Sequence, residues 1–195
     1  MEETIVVILA GGLSRRMGRD KAQVELGGVP LLERQVRAWS GQFPAVYVSV
    51  DRPGRFDTYG AGELCDLRPG NQGPLAGLEA AFLGTGAERV FLTAVDLPFA
   101  QPELAGLVLD ALEDHAACCL RWPDGRLEPL FAAYHRSCLA VVQACLEEGR
   151  RSFHALLERV DCRYLAPQQL PGAALEQMLF NVNTPEQLRQ AEGKI

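Results

Sequence analysis

The residues best suited to chemistry lie in a glycine-rich, cationic segment near the N-terminus. It covers residues 9–21 and follows a short apolar run at residues 5–8. Glycine lets the backbone approach phosphate oxygens closely, and basic side chains neutralise phosphate charge. The segment has a local charge of +3 in a chain of net charge −6, from Arg15, Arg16, Arg19 and Lys21 against Asp20. This pattern predicts a site for a polyanion such as a nucleoside triphosphate; a solvated basic turn is the simpler alternative.

The segment matches neither of the two common phosphate-binding motifs. A Walker-type loop has four residues between its first glycine and Gly-Lys-Ser/Thr, whereas Gly12 and Gly18 have five residues between them and Arg19 follows. The dinucleotide fingerprint needs G-x-G-x-x-G, whereas Gly11 and Gly12 are adjacent. A long loop that surrounds a triphosphate fits the spacing better.

Two aspartates follow strand-like segments farther along the chain. Asp66 comes after residues 63–65, and Asp96 comes after residues 90–95. A carboxylate at the edge of a core is costly unless it is paired or binds a metal, and Mg²⁺ takes one or two protein carboxylates with phosphate oxygens and water. Asp96 is therefore a candidate magnesium ligand. The alternatives are a helix N-cap for Asp96 and a turn residue for Asp66.

The elements that must position these residues alternate between strand-like and helix-like patterns, which is typical of βαβ units around a largely parallel sheet. We predict helices from Pro30 to Trp39, along residues 75–82 and 104–112, over 136–158 with a break near Gly149, and from Pro185 with Thr184 as N-cap. Residues 166–173 are predicted to form a surface loop. Strands are predicted at residues 4–10, 45–50, 62–66, 89–95, 116–121 and 129–134.

The predicted fold class is α/β, a single Rossmann-like domain over residues 1–195 with helices flanking a mostly parallel central sheet. In such sheets, ligands bind at the carboxyl ends of the strands. Because the cationic segment, Asp66 and Asp96 all follow strands, we expect them to converge on one cleft.

Composition narrows the class of protein further. The chain has 195 residues, 48% of them hydrophobic, without an apolar run long enough for a membrane span or a signal peptide, so we expect a cytoplasmic protein. The acidic balance disfavours a nucleic-acid surface. The six cysteines form no C-x-x-C pair, and we expect them to be reduced and mostly buried.

The segment Leu9-Ala10-Gly11-Gly12-x-Ser14-x-Arg16-Met17-Gly18-x-Asp20-Lys21, followed by Gly28-x-Pro30-Leu31, resembles the signature of molybdenum cofactor guanylyltransferases. Three later segments resemble that family as well: Gly73-Pro74-Leu75-Ala76-Gly77, Asp96-Leu97-Pro98-Phe99 and Asn181-Val182-Asn183-Thr184-Pro185. Together the matches run from residue 5 to about residue 190. The resemblance implies a nucleotidyltransferase fold, GTP as donor substrate and Mg²⁺ as cofactor.

The resemblance also implies roles for individual residues. Lys21 would contact the phosphates of GTP, Asp96 would bind Mg²⁺, and Asp66 would contact the guanine nucleotide at the base or the ribose. Ser49 stands where relatives can carry an asparagine, and its shorter side chain leaves that nucleotide contact open. The backbone of the glycine-rich segment would bind GTP, with two arginines as supporting catalytic cations: Leu9, Ala10, Gly11 and Gly12, with Arg15 and Arg16.

Two glycines and two asparagines complete the candidate site. Gly73 and Gly77 could admit a base or a pterin closely, or they could simply form a helix entry. Asn181 and Asn183 lie two residues apart, so on an extended segment both amides face one way. They would suit the pterin or its phosphate; turn and cap chemistry before Thr184 is the alternative.

The function implied is transfer of GMP from GTP to molybdenum-bound molybdopterin, with release of pyrophosphate. Two alternatives stay open: a cytidylyltransferase or other small-substrate nucleotidyltransferase, and a nonenzymatic accessory module that binds molybdopterin or nucleotide. The expected partners are GTP and molybdopterin, with molybdenum-insertion proteins and recipient molybdoenzymes as further candidates. We expect a monomer without nucleic-acid or membrane partners.

Overall fold

The computed structural model describes residues 3–11, 20–70, 72–171 and 175–195. Most of the cationic segment, including Gly12, Arg15 and Arg16, lies outside the described residues.

A seven-stranded sheet forms the centre of the molecule, in the order β5-β4-β1-β6-β8-β7-β9. Among these strands only β8 is antiparallel to its neighbours. A separate two-stranded hairpin is formed by β2 and β3. The strands are β1 (Thr4–Leu9), β2 (Glu25–Leu26), β3 (Val29–Pro30), β4 (Val46–Val50), β5 (Gly62–Cys65), β6 (Arg89–Ala94), β7 (Ala117–Arg121), β8 (Leu127–His135) and β9 (Cys162–Leu165).

Helices connect these strands and cover both faces of the sheet. They are α1 (Leu31–Ser40), α2 (Pro74–Thr85), α3 (Pro102–Asp110), α4 (Leu139–Glu147), α5 (Phe153–Leu157), α6 (Leu175–Met178) and α7 (Pro185–Glu192). Short 3-10 turns lie at Lys21–Gln23, Arg136–Cys138 and Pro167–Gln169.

The six predicted strands are confirmed with small shifts at their ends, and the mostly parallel α/β fold is confirmed with them. Pro185 begins the last helix as predicted, and the Thr184 hydroxyl accepts a hydrogen bond from the Gln187 N–H at 3.2 Å. The helical region predicted over residues 136–158, with its break near Gly149, is confirmed: a 3-10 turn and α4 precede Gly149, whose φ is 72°, and α5 follows it. The strands β2, β3 and β9 were not predicted; β2 and β3 have only two residues each, and β9 is a four-residue strand at the edge of the sheet.

The core has two halves, one on each face of the sheet, because successive residues of a strand point to opposite sides. Val6, Ile8 and Phe91 pack against Trp39 of α1 on one face, together with residues of α3, α6 and α7. Ile5, Val7 and Leu92 pack against α2, α4 and α5 on the other. Such burial on both faces explains why the strands are nearly continuous apolar runs.

All six cysteines are free thiols, as predicted; four are buried and two are partly buried. Burial raises the pKa of the Cys138 thiol to about 12, so this thiol is protonated at neutral pH. Within the described residues, none of the helices has both the length and the apolar character needed to span a membrane.

Helix α2 lies close to the ends of β1 and β4 because one of its residues is Gly77. A Cβ on Gly77 would lie 2.5 Å from Leu9 Cδ2 and 2.7 Å from Ser49 Oγ, both well inside van der Waals contact. With any larger residue at this position, the Leu9 or Ser49 side chain, or α2 itself, would therefore have to shift.

We expect Gly77→Ala to lower the free energy of unfolding by about 1–3 kcal/mol, because the added methyl group overpacks this contact. Gly106→Ala on α3 is the matched control, since no atom lies within 4 Å of its added Cβ. There the gain in helix propensity should stabilise the protein by about 0.5–1 kcal/mol. Urea unfolding measures both changes, and equal effects of the two substitutions would contradict the close approach at Gly77.

Candidate active site

The carboxyl ends of the central strands are level with one another. Leu9 at the end of β1 is in register with Ser49 of β4 and with Ala94 of β6. Val50 of β4 is in register with Cys65 of β5. Asp51, Asp66 and Asp96 follow these strand ends by one or two residues, which places three carboxylates along a single edge of the sheet.

The Lys21 side chain forms hydrogen bonds with two other predicted site residues, Asp96 and Asn183. Its Nζ lies 2.7 Å from Asp96 Oδ2 and also donates to Asn183 Oδ1. The Lys21 and Asp96 side chains are 22% and 16% exposed, so water screens their ion pair only in part. The sequence segments 9–21, 96–99 and 181–185 therefore meet at one ammonium group.

Three hydrogen bonds to backbone groups hold the segment that carries Asp96. The Val95 N–H donates to the Leu9 carbonyl at 3.1 Å, and the Val182 N–H donates to the Asp96 carbonyl at 2.9 Å. The Gln35 side chain of α1 donates to the carbonyl of Leu97. Asp96 is thus held from β1, from the C-terminal segment and from α1.

Gln35 is a supporting residue that sequence analysis missed. It is 1% exposed, and its Oε1 accepts a hydrogen bond from Trp39 Nε1 at 2.7 Å. A buried amide needs partners for both of its ends, and here Trp39 and Leu97 supply them. The sequence did contain a signal for Gln35, because it is a polar residue within the apolar stripe of α1.

One carboxylate oxygen of Asp96 has no partner in the part of the chain that the structure describes. Within the described part of the chain, Asp96 Oδ1 is buried without a hydrogen-bond partner, whereas Oδ2 bonds Lys21. No group of three or more metal-binding side chains occurs among the described residues. A single carboxylate oxygen suits Mg²⁺, which keeps most of its coordination for phosphate oxygens and water.

A cavity of about 580 Å³ opens beside this cluster. It is lined by six of the predicted nucleotide-binding residues: Leu9, Gly11, Ser49, Asp66, Gly73 and Gly77. Asp51, Arg52, Gly70 and Pro74 line it as well. Asp51 could have been predicted from the same pattern as Asp66, since each follows a strand directly.

Asp66 is the most perturbed carboxyl group of the cavity. Burial raises its pKa from the ordinary 3.8 to about 6, and the charges of Asp51 and Glu79 add to the shift. Glu79 of α2 is 2% exposed and is held by Arg68, whose Nε and NH2 lie 2.8 and 2.7 Å from its oxygens. Among the described residues, no cation is paired with Asp66 as Arg68 is paired with Glu79.

The backbone beside the cavity is oriented by Ser49. Its carbonyl accepts hydrogen bonds from the N–H groups of Ala10 and Gly11, at 3.0 and 3.1 Å. Backbone contacts from these two residues to a nucleotide would therefore use their carbonyl oxygens, which match the N–H donors of a base rather than phosphate. The Ser49 side chain lies against Gly77, where the close approach of α2 limits its size.

Gly73 lies at the start of α2 and has φ of 73°, in the left-handed region that favours glycine. A Cβ there would also lie 3.2 Å from the Arg151 carbonyl. Gly73 and Pro74 border a second cavity of about 500 Å³, which extends toward Pro129, Leu130 and Phe153. The predicted helix entry is therefore also part of a cavity wall.

The two predicted asparagines have different environments. Asn183 reaches Lys21, whereas the Asn181 side chain donates to the Leu179 carbonyl at 3.2 Å. The Asn183 N–H donates to Gln187 Oε1 at 2.8 Å, which ties it to the first turn of α7. Asn183 therefore belongs to the cluster around Lys21, whereas Asn181 makes a local turn contact.

We expect Asp66→Asn to stabilise the protein at pH 8 by about 1 kcal/mol, a value reduced for the partial exposure of this residue. The reason is that the folded-state pKa of Asp66 is raised, so its ionised form is disfavoured by folding. The gain should fall as the pH drops through about 6 and vanish below the unfolded-state value of 3.8. Urea unfolding at pH 8 and pH 4 measures it, with the exposed Asp114→Asn as control.

The family of the chain is established by comparison with known proteins. The profile of the MobA-like NTP transferase domain matches residues 6–162. The chain is 34% identical to the molybdenum cofactor guanylyltransferase of Rhizobium meliloti, over 96% of this chain and 89% of that protein. It is 30% identical to the enzyme of the same name from Desulfosudis oleivorans, over 100% and 97%.

A solved structure has the same fold over nearly the whole chain. This is the molybdopterin-guanine dinucleotide biosynthesis protein A from Archaeoglobus fulgidus, with a TM-score of 0.85, 27% sequence identity and 97% of each chain covered. The level strand ends, the Lys21 cluster and the adjoining cavity therefore lie in a chain that belongs to the MobA-like NTP transferase family.

Proposed function

We propose that this protein transfers GMP from GTP to molybdopterin, giving the guanine dinucleotide form of the cofactor and pyrophosphate. The observation that carries the proposal is the convergence of Lys21, Asp96 and Asn183, separated by up to 162 residues in sequence, at the carboxyl edge of the sheet. This cluster lies in a chain related over nearly its whole length to molybdenum cofactor guanylyltransferases.

The guanine nucleotide occupies the cavity between the ends of β1, β4 and β5. The carbonyls of Ala10 and Gly11 and the carboxylate of Asp66 can accept hydrogen bonds from the base or the ribose. Cytosine has fewer N–H donors than guanine, so a wall rich in acceptor oxygens favours the purine. Gly77 keeps the cavity open, because a side chain there would meet Leu9 and Ser49.

The chemistry needs alignment and charge neutralisation more than a protein nucleophile. An oxygen of the acceptor phosphate forms a bond to the α-phosphorus of GTP as the bond from that phosphorus to the pyrophosphate oxygen breaks. Lys21 neutralises negative charge on the phosphates, and its contacts with Asp96 and Asn183 hold the ammonium at the edge of the sheet. Arg15 and Arg16 are supporting cations in this proposal.

The Asp96 carboxylate would hold Mg²⁺, since Oδ1 is a buried oxygen without a partner in the described residues. Bound Mg²⁺ would supply charge neutralisation at the reacting phosphate. The Asp96 carboxylate is held in place because the backbone around it forms hydrogen bonds with β1, α1 and the C-terminal segment. Asn181 and Asn183 are proposed to lie on the acceptor side.

We expect Asp96→Asn and Lys21→Met each to lower kcat by about 100-fold or more, because each removes a charge that acts on the reacting phosphates. Pyrophosphate release from GTP with molybdopterin as acceptor measures the rate. Asp110→Asn, at an exposed position at the end of α3, is the control. Near-normal turnover by either site variant, with a normal circular dichroism spectrum, would contradict these roles.

The choice of nucleotide is tested with the unaltered protein. Pyrophosphate release should be faster with GTP than with CTP, ATP or UTP at equal concentration. Preference for CTP would make the protein a cytidylyltransferase, and nucleotide binding without any turnover would indicate an accessory binding module.

A further inference from the structure

Arg55 makes an ion-pair network beside the site that neither the family resemblance nor the proposed reaction assigns. It lies in the connection between β4 and β5. Its NH1 is 2.7 Å from Asp51 Oδ1, and its NH2 is 2.6 Å from Asp20 Oδ1. Asp51 lines the larger cavity, and Asp20 immediately precedes Lys21. One guanidinium therefore links the wall of the cavity to the residue next to the proposed phosphate-binding lysine.

The environment of Arg55 makes this link more rigid than an ordinary surface ion pair. The Arg55 side chain is only 8% exposed, although Asp20 and Asp51 are 32% and 44% exposed. Its guanidinium lies over the ring of Phe56, 4.9 Å from the centroid, and Phe56 is itself part of the core. A planar guanidinium held on a ring can bond two carboxylates in fixed directions, which the point charge of a lysine cannot do.

Two separate contacts attach the two ends of the cationic segment to the end of β4. At its beginning, the Gly11 N–H donates to the Ser49 carbonyl. At its end, Asp20 is bound through Arg55 to Asp51, the residue that follows β4. Arg55 also neutralises carboxylates that would otherwise repel a polyphosphate. The network thus sets both the position and the charge of the region around Lys21.

We propose that Arg55 is a positioning residue for triphosphate binding: it holds Asp20, and with it Lys21, against the end of β4. The inference rests on the proposed function in that a nucleoside triphosphate is the ligand. It goes beyond that function by assigning to the β4–β5 connection a role in binding the phosphates rather than the base.

The test compares a nucleoside triphosphate with the nucleoside that lacks the phosphates. For Arg55→Met we expect the dissociation constant for GTP to rise about tenfold, which corresponds to about 1.4 kcal/mol, with no change for guanosine. Arg55→Lys keeps the charge but loses the forked geometry, so its effect on GTP should be intermediate. Arg89→Met removes an ion pair with Glu3 at the opposite end of β6 and should change neither constant.

Isothermal titration gives both dissociation constants, and thermal unfolding shows whether each variant is folded. Equal weakening of GTP and guanosine, or unchanged GTP binding by the folded variants, would overturn the role of Arg55. If the unaltered protein prefers CTP, the proposed function fails, and the same comparison runs with CTP and cytidine. If it binds no nucleoside triphosphate, both proposals fall.

Discussion

The level register of the central strands is the constraint on which the rest of this structure depends. Because Leu9 pairs with both Ser49 and Ala94, the chain segments that leave β1, β4 and β6 begin at the same height. A shift of two residues in the pairing of β1 with β6 would move a strand end by about 7 Å and separate Lys21 from Asp96. The register of the strands therefore determines where the residues of the candidate site lie.

The pairing of charged side chains is a second constraint at the carboxyl ends of the strands. Carboxylates lie next to a proposed polyanion site, which is unfavourable unless each is matched by a cation or used by a ligand. Lys21 bonds Asp96, Arg55 bonds Asp51 and Asp20, and Arg68 bonds Glu79. Asp66 differs, and its raised pKa reflects burial near Asp51 and Glu79. A carboxyl group with a perturbed pKa that lines a cavity is a candidate functional residue.

Local signals in the sequence were sufficient for much of the fold. Buried parallel strands appear as apolar runs, and Thr184 before Pro185 is a helix start that needs no distant partner. The antiparallel direction of β8 and the presence of β9 were not predictable in this way, since both depend on which edge of the sheet a strand joins. By contrast, the break in the helical region over residues 136–158 was predictable, because glycine readily adopts the positive φ that Gly149 has between α4 and α5.

The sequence by itself determined the family and the chemical groups of the candidate site, which include the cationic segment, Asp66 and Asp96. These features could be identified because they depend only on residue types at short spacings. Only the tertiary structure decided which of them act together. The hydrogen bond between Lys21 and Asn183 joins residues 162 apart, and Gln35 of α1 donates to the carbonyl of Leu97. Arg55 reaches Asp20 across 35 residues. Such contacts depend on how the helices pack against the sheet and on the level of its strand ends, and no local pattern encodes either.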